Sequence, residues 1–480
     1  MKYVDESRSD VRGPPDDIYN RCATTNSYPS NAEALIREKE AARDHLARLE
    51  ATLAMLEAER SRLQGILAKY DVILHPIRHI PSEIMQKIFS SCIERSNIMI
   101  SAERFPRTSL NPSQVPWVLG HVCRTWRALA LSTPNIWSSV SLVIRRRLED
   151  SNEKHVSSHL LRLGLQLDRS EDHPLDVSLY LDREQSFHPW TVLLCSRSQQ
   201  WRYLRLEGDS RGFRPISRIQ HFLPALENLE LSIASYYSQA DIDWLEQAPR
   251  LKSLSLTTIP STKLPFAQIK NFRWREDFNS SSSFSYSSFV SSKLWPMLRS
   301  LSGVEACSLE FVKESQPYAS SDLANLHYKR LRKLELMSSS SRQVDVQCLL
   351  AKFTAPRLTH LFISSKLTEV NVLVDFVGRS ACKLTNLVIY SAESVTSNNF
   401  ARILSVLPEL THLEFGFPTT DDHLFVLSTT PVVVPRLETL CIYSYPGCKS
   451  SYSDDVWLNT LEFRASEQLI SLRVKGLMLS

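Results

Sequence analysis

The sequence predicts an α/β solenoid: a parallel sheet on the concave side and helices on the convex side, preceded by a small helical unit and a long N-terminal helix. Three observations predict it. An apolar residue, two spacers, Leu, one spacer and Leu or a similar residue recur between Trp201 and Val474. The clearest first anchors of neighbouring copies stand 25, 25, 27, 26, 26, 27 and 32 residues apart. Apolar stretches at helical spacing lie between many copies, with a Pro shortly before the next one. Self-similarity at such a period marks stacked units that bury one continuous core.

Residues 1–30 are polar, with Pro14, Pro15, Pro29 and many Ser, Thr and Asp. Such a segment buries too little apolar area to order itself, so a disordered tail is expected. From 31 to 75 the character changes. Leu46, Leu49, Leu53, Leu56, Leu63, Leu67 and Tyr70 fall at alternating spacings of three and four, with Arg60 in the one polar seam position. That is the period of a coiled-coil seam. Two readings stand open: a parallel homodimer through residues 35–74, or one amphipathic helix packed on the domain that follows.

After Pro76, Ile80, Ile84, Ile88 and Phe89 recur at helical spacing, and Ser82 and Glu83 suit a helix start. Residues 95–116 read as a loop broken by Pro106, Pro112 and Pro116. Leu119, Val122, Cys123, Trp126 and Leu129 form one apolar helical stripe that ends at Pro134. Trp137, Val140 and Leu142 begin an extended segment. Residues 76–144 therefore form a small helical domain, and 145–200 a connection with the first solenoid strands.

The solenoid proper spans 201–480. Its copies read WRYLRL from Trp201, LENLEL from Leu226, LKSLSL from Leu251, LRKLEL from Leu331, LTHLFI from Leu358, LTNLVI from Leu384, LTHLEF from Leu410, LETLCI from Leu437 and LISLRV from Leu469. IKNFRW from Ile269 and VEACSL from Val304 are weaker copies. The L-x-x-L-x-L core is leucine-rich-repeat-like. Helical returns are expected from Ile216, Asp241, Val346, Val370 and Asn398, and Pro224, Pro249, Pro356, Pro408 and Pro435 sit shortly before the next strand, where a helix must end. The usual Asn ladder is missing, since Ala234 and Ile259 stand three after Leu231 and Leu256, so the turns need other partners. Residues 279–292 read as a Ser-rich linker. The chain reaches Ser480 just past a repeat strand without a capping repeat, so that edge needs cover.

Alternation along each strand sends Leu413 and Phe415 inward and His412, Glu414 and Gly416 outward. On the same parity His360, Phe362, Tyr390, His412 and Tyr443 face out, and these are the candidate contacts for a protein substrate. Phe362, Val388, Tyr390 and Tyr443 fall on neighbouring strands, where exposed apolar groups commonly anchor a partner.

The helical domain resembles the F-box, in the form found in mushroom-forming fungi. The matching residues are Ile80-Pro81, Glu83-Ile84, Ile88-Phe89, then Val122-Cys123-Arg124-x-Trp126-Arg127-x-Leu129, then Pro134-x-Ile136-Trp137. The resemblance implies a three-helix unit docking on the Skp adaptor of a cullin–RING ubiquitin ligase. It implies adaptor contacts from Ile80, Pro81, Ile84, Ile88, Phe89, Val122, Cys123 and Trp126, with the repeats holding a target protein for other subunits to modify. An internal core role for the same residues is the competing reading. The insert at about 94–116 is longer than is usual in that family and can displace the middle helix.

Other classes find little support. Basic and acidic side chains number 56 and 52, a net charge of +4. That balance does not suggest nucleic acid or a membrane surface. Arg145-Arg146-Arg147 is the densest basic run, without interleaved aromatics, and reads as a solvated loop. The nine cysteines are scattered without any C-x-x-C, so neither a disulfide framework nor structural zinc is expected. Cys123 reads as a small buried side chain rather than a nucleophile. No metal, cofactor or catalytic constellation is expected, and a cytoplasmic or nuclear setting follows from reduced thiols and the lack of a signal core. The alternative to a ligase receptor is a non-catalytic coiled-coil and repeat scaffold for protein–protein interaction.

Overall fold

The computed structural model describes residues 13–25, 28–93, 108–144, 153–181, 189–209, 216, 223–234, 247–257, 264–276, 294–311, 324–338, 346–365, 369–391, 395–428, 433–444, 453–466 and 471–476. Two compact units divide the chain, residues 1–85 and 86–480.

The first unit is helical. α1 (Asp16–Thr25) lies within the segment expected to be a disordered tail and buries none of its residues. Its start has a local cause. Pro14 and Pro15 lead in, the Ile18 and Tyr19 amides each donate to the Pro15 carbonyl at 3.0 Å, and Asp16 and Asp17 complement the helix dipole. α2 (Ala32–Ile73) runs 42 residues, about 63 Å at 1.5 Å per residue. Ala, Leu, Glu and Arg favour the helix throughout. It stops at Leu74, whose amide closes the last turn on the Tyr70 carbonyl at 2.8 Å, just ahead of Pro76. No residue of α2 is buried.

α3 (Ser82–Ser91) contains the boundary between the units. The predicted single helix of Leu119–Leu129 is instead two: α4 (Leu119–Val122) and α5 (Arg124–Leu131). Cys123 breaks it, with extended backbone at φ −158°, ψ 172°. Its Sγ caps α5 by accepting from the Trp126 amide at 3.4 Å, and the Arg127 guanidinium returns to the Gly120 carbonyl at 2.8 Å. Cys123 is exposed, so the expectation of a buried side chain fails.

The remainder is a parallel sheet. Its strands are β1 (Ser139–Ile144), β2 (Leu175–Leu181), β3 (Trp201–Asp209), β4 (Asn228–Ala234), β5 (Ser253–Leu256), β6 (Asn271–Arg275) and β7 (Ala306–Phe311). After the two-residue β8 (Leu326–His327) come β9 (Lys333–Ser338), the two-residue β10 (Phe353–Thr354), β11 (His360–Ser364), β12 (Asn386–Tyr390), β13 (His412–Gly416), β14 (Thr439–Ser444) and β15 (Ser471–Gly476). Among the described residues the sheet has 13 strands in sequence order, every neighbouring pair parallel; β8 and β10 form a separate two-stranded bridge. Each repeat copy read from the sequence is a strand. The sheet begins earlier than Trp201, at Ser139, so the extended segment after Trp137 belongs to it.

The returns are helical where the periodicity is clear: Val346–Lys352, Val370–Ser380 and Ser397–Ser405. Asp421–Ser428 and Asp454–Ser466 add helices that the repeat pattern does not signal, the last filling the 32-residue spacing. The return expected from Asp241, the Ser-rich stretch at 279–292 and Arg145–Arg147 lie wholly or largely outside the described residues. Leu373, Phe376, Phe400, Ile403, Leu404, Leu424 and Leu427 from these helices share one core with the inward strand residues, including Leu361, Leu387, Leu413 and Phe415.

A backbone ladder joins the repeats at the N-terminal ends of their strands. The residue before each strand donates its amide to the equivalent carbonyl of the preceding repeat: Lys252 to Glu227, Lys270 to Lys252, Glu305 to Lys270, Arg332 to Glu305, Thr359 to Arg332, Thr385 to Thr359, Thr411 to Thr385 and Glu438 to Thr411, all at 2.7–2.9 Å. Each of these carbonyls also takes the first amide of the next strand; His360 reaches Arg332 and His412 reaches Thr385 at 2.9 Å. In the C-terminal repeats a Thr hydroxyl joins in, from Thr359, Thr385 and Thr411 at 3.1, 3.2 and 3.1 Å. The backbone groups at the entries to these strands are thereby satisfied.

Candidate interaction surfaces

In the first unit, Ile80 is half-buried at the end of a short 3₁₀ turn, and Pro81 and Ile84 are exposed. The other predicted adaptor contacts belong to the second unit. Phe89 is fully buried and meets Trp126 edge-on at 5.0 Å. It supports the helix pair from within instead of offering surface. Trp126 is half-buried, so one part of the indole packs on Phe89 while the rest faces outward. Ile88 and Val122 keep 41% and 57% of their surface, and Leu131 is exposed as well. Cys123 is exposed at the α5 cap.

The support beneath these helices is polar as well as apolar. The Trp137 indole donates to the Ala130 carbonyl at 2.8 Å, the Thr133 hydroxyl to Leu129 at 2.6 Å, and Asn135 to Ser90 Oγ at 3.0 Å. The described end of the long insert docks rather than dangles. Ser109 exchanges bonds with the β1 backbone at Ser141, at 2.8 and 3.1 Å, and the Trp117 indole donates to the Ser109 carbonyl at 2.9 Å. Trp117 and Trp137 meet edge-on at 5.1 Å, and the Arg169 guanidinium lies 5.2 and 4.5 Å from their rings. Burial lowers the Arg169 pKa, while the two ring faces hold its cation in place.

The outward face of the sheet is organised by register into rows. One row runs Asn228, Ser253, Asn271, Ala306, Lys333, His360, Asn386, His412 and Thr439; the next runs Arg205, Glu230, Ser255, Arg273, Ser308, Glu335, Phe362, Val388, Glu414 and Cys441. The first half is charged. Arg205 approaches Glu207 at 3.0 Å and Glu230 at 3.9 Å, Arg275 approaches Glu310 at 3.2 Å, and Lys333 approaches Glu335 at 2.7 Å. Burial pushes the Glu335 carboxyl up, but hydrogen bonds from Lys333 and Ser308 and the charges of Lys333 and Arg273 together hold it below the ordinary carboxylate value. A groove of about 530 Å³ lies over β3–β9, lined by Tyr203, Glu230, Arg273 and Glu335 among others.

The second half is aromatic. Phe362 meets Tyr390 edge-on at 5.6 Å, and Tyr390 meets Tyr443 edge-on at 5.6 Å. Tyr390 and Tyr443 stand on strands that flank β13, so their rings close over it. They can do so because the intervening residue is Gly416. A Cβ there would sit 2.6 Å from Tyr390 Cδ1 and 3.3 Å from Tyr443 Cβ. The Tyr390 hydroxyl donates to Glu414, and burial first, then this carboxylate, raises the phenol pKa. Cys441, read as outward, is buried on this face. Gly416→Val should force the two rings apart and lower stability by about 1–3 kcal/mol, measured by denaturant unfolding.

His360 and His412 flank Asn386 in the first row, and both are exposed. The Thr359 and Thr411 hydroxyls each lie 2.9 Å from the following imidazole Nδ1 and 3.1 Å from a backbone carbonyl of the preceding repeat, so each Thr orients the ring that follows it. Burial, Lys333 and His412 lower the His360 pKa. Because its folded pKa lies below the unfolded one, its contribution is full above the ordinary value of about 6.5 and fades as pH falls through it. An NMR titration should place His360 below that value, and Lys333→Met should raise its midpoint.

The structure therefore brings Phe362, Tyr390 and Tyr443 together as one aromatic run and sets His360 and His412 beside it. Sequence reading did not single out Gly416 as the gap that lets the rings close; an outward Gly between two outward Tyr positions was the available signal. Among the described residues no group of three or more His, Cys, Asp or Glu is placed to hold a metal ion, and no helix is long and apolar enough to cross a membrane. No protein-family model matches the chain, and the search of curated proteins gives no match.

Proposed function

We propose that this chain is a non-catalytic protein-binding scaffold that receives a partner protein on the outward face of its sheet. The aromatic run Phe362–Tyr390–Tyr443 carries this reading. Three large half-buried rings on rigid neighbouring strands offer anchor area with little entropy left to lose, and polar His360, His412 and Glu414 surround them. Such a surface binds by shape and apolar burial. The charged half of the sheet, already internally paired, sets orientation and rejects partners of unlike charge pattern. Tyr390→Ser with Tyr443→Ser removes both rings. Proteins captured by the full chain under cross-linking should then be lost, while capture unchanged by the double variant would refute the assignment of this face.

The resemblance in residues 80–137 supports a finer reading: the partner held on the sheet is a target, and α3 and α5 dock on a Skp adaptor so that a cullin–RING ligase can modify it. The observation favouring this is the exposure of Ile88 and Val122 around a half-open Trp126. The chain would then act by proximity, raising the effective concentration of target near the charged ubiquitin carrier. Separate docking and target surfaces are what that role requires.

A further inference from the structure

We propose that α2 forms a parallel two-stranded coiled coil with a second copy of this chain. The structure leaves the whole seam open. Leu46, Leu49, Leu53, Leu56, Leu63, Leu67 and Tyr70 are between 45% and 64% exposed, along a helix that buries none of its residues. A straight helix turns such a seam by about 20° per heptad, so only another helix winding with it covers its full length.

The charges select the occupant and its direction. With Leu46, Leu53, Arg60 and Leu67 at one seam position and Leu49, Leu56, Leu63 and Tyr70 at the other, a parallel second copy sets Glu38 against Arg43. It sets His45 against Glu50, Thr52 against Glu57, Glu59 against Gln64 and Ile66 against Asp71. No flanking pair has like charges. An antiparallel copy aligned to keep the leucines in contact brings Glu57 onto Glu57 and Glu59 onto Glu59 at its centre. The flanking charges therefore favour identical helices running the same way, against the cost of setting Lys39 and Arg60 each beside its own counterpart in the seam.

Arg60 fixes the register. In the parallel pair its side chain enters a hole made by Leu56, Glu59, Arg60 and Leu63 of the second copy, where Glu59 supplies a carboxylate. A slip by one heptad would place Arg60 against Leu53 or Leu67 and bury its charge unpaired.

The test is light scattering on the full chain at tens of micromolar, where the expected mass is twice 54.9 kDa. Leu56→Glu, which keeps a strong helix former but puts a charge in the seam, should weaken association at least about a hundredfold. Ala58→Glu, the same charge on the outer side of the helix, should not change it. Glu38→Arg should weaken it about fivefold, and adding Arg43→Glu should restore it, because the two face each other only in the parallel pair. A mass of 54.9 kDa, a trimer or larger assembly, a dimer indifferent to Leu56→Glu, or no rescue by the charge swap would each overturn the proposal.

Discussion

Phe400→Ala is expected to reduce unfolding stability by about 3–5 kcal/mol. Phe400 lies at the centre of a buried aromatic cluster of the solenoid. Its ring meets Phe415 edge-on at 5.2 Å and Phe417 at 5.7 Å, and the His423 ring stands 5.8 Å away. Phe415 and Phe417 stack at 4.9 Å, and all three phenylalanines are fully buried. Truncation leaves a ring-sized cavity that two rigid strands and a helix cannot close. Stacked repeats depend mainly on their nearest neighbours, so the loss should concentrate around β12–β14. Hydrogen exchange should report faster opening there than at β3–β5. An equal loss along the whole sheet would indicate one cooperative block.

The second large effect concerns the helical segment. Ile88→Glu with Val122→Glu should weaken binding of a purified Skp adaptor by about 3 kcal/mol or more, on the order of a hundredfold. Both side chains keep much of their surface exposed, 41% and 57%, so the thermal midpoint should stay close to that of the parent. Phe89→Ala is a poor probe of docking. Phe89 is fully buried against Trp126, and its loss would destabilise the helix pair itself. Trp126→Ala mixes both effects. Calorimetric titration of the parent and the double variant separates them; equal affinity for the adaptor would remove the adaptor reading and leave the scaffold.

Much of the solenoid could be read ahead of the coordinates because its determinants are local and repeated. Leu at fixed offsets specifies each strand, and two-residue alternation then decides which neighbours share the outward face. That is why Phe362, Tyr390 and Tyr443 were placed on one surface before any distance was known. Features that depend on single residues were less visible. The break at Cys123 interrupts an unbroken apolar stripe, and it depends on a sulfur cap and on Arg127 returning to Gly120. The helix at Asp16–Thr25 begins because of Pro15 and two aspartates inside an otherwise polar stretch. The threonine ladder was hidden because Thr359, Thr385 and Thr411 look like spacers in the repeat, although each lies one residue before the outward position of its strand. Side-chain depth was also beyond pattern reading: Phe89 carries the same apolar signal as Ile88, yet one is buried and the other open.

A photoreactive residue at position 362 of the full chain tests the central claim most directly. If the outward sheet face receives the partner, irradiation in the presence of captured protein should join that protein covalently to position 362. The same group at Asn398, an exposed position on the helical side, should give no adduct. Adducts from position 398 alone would contradict the account.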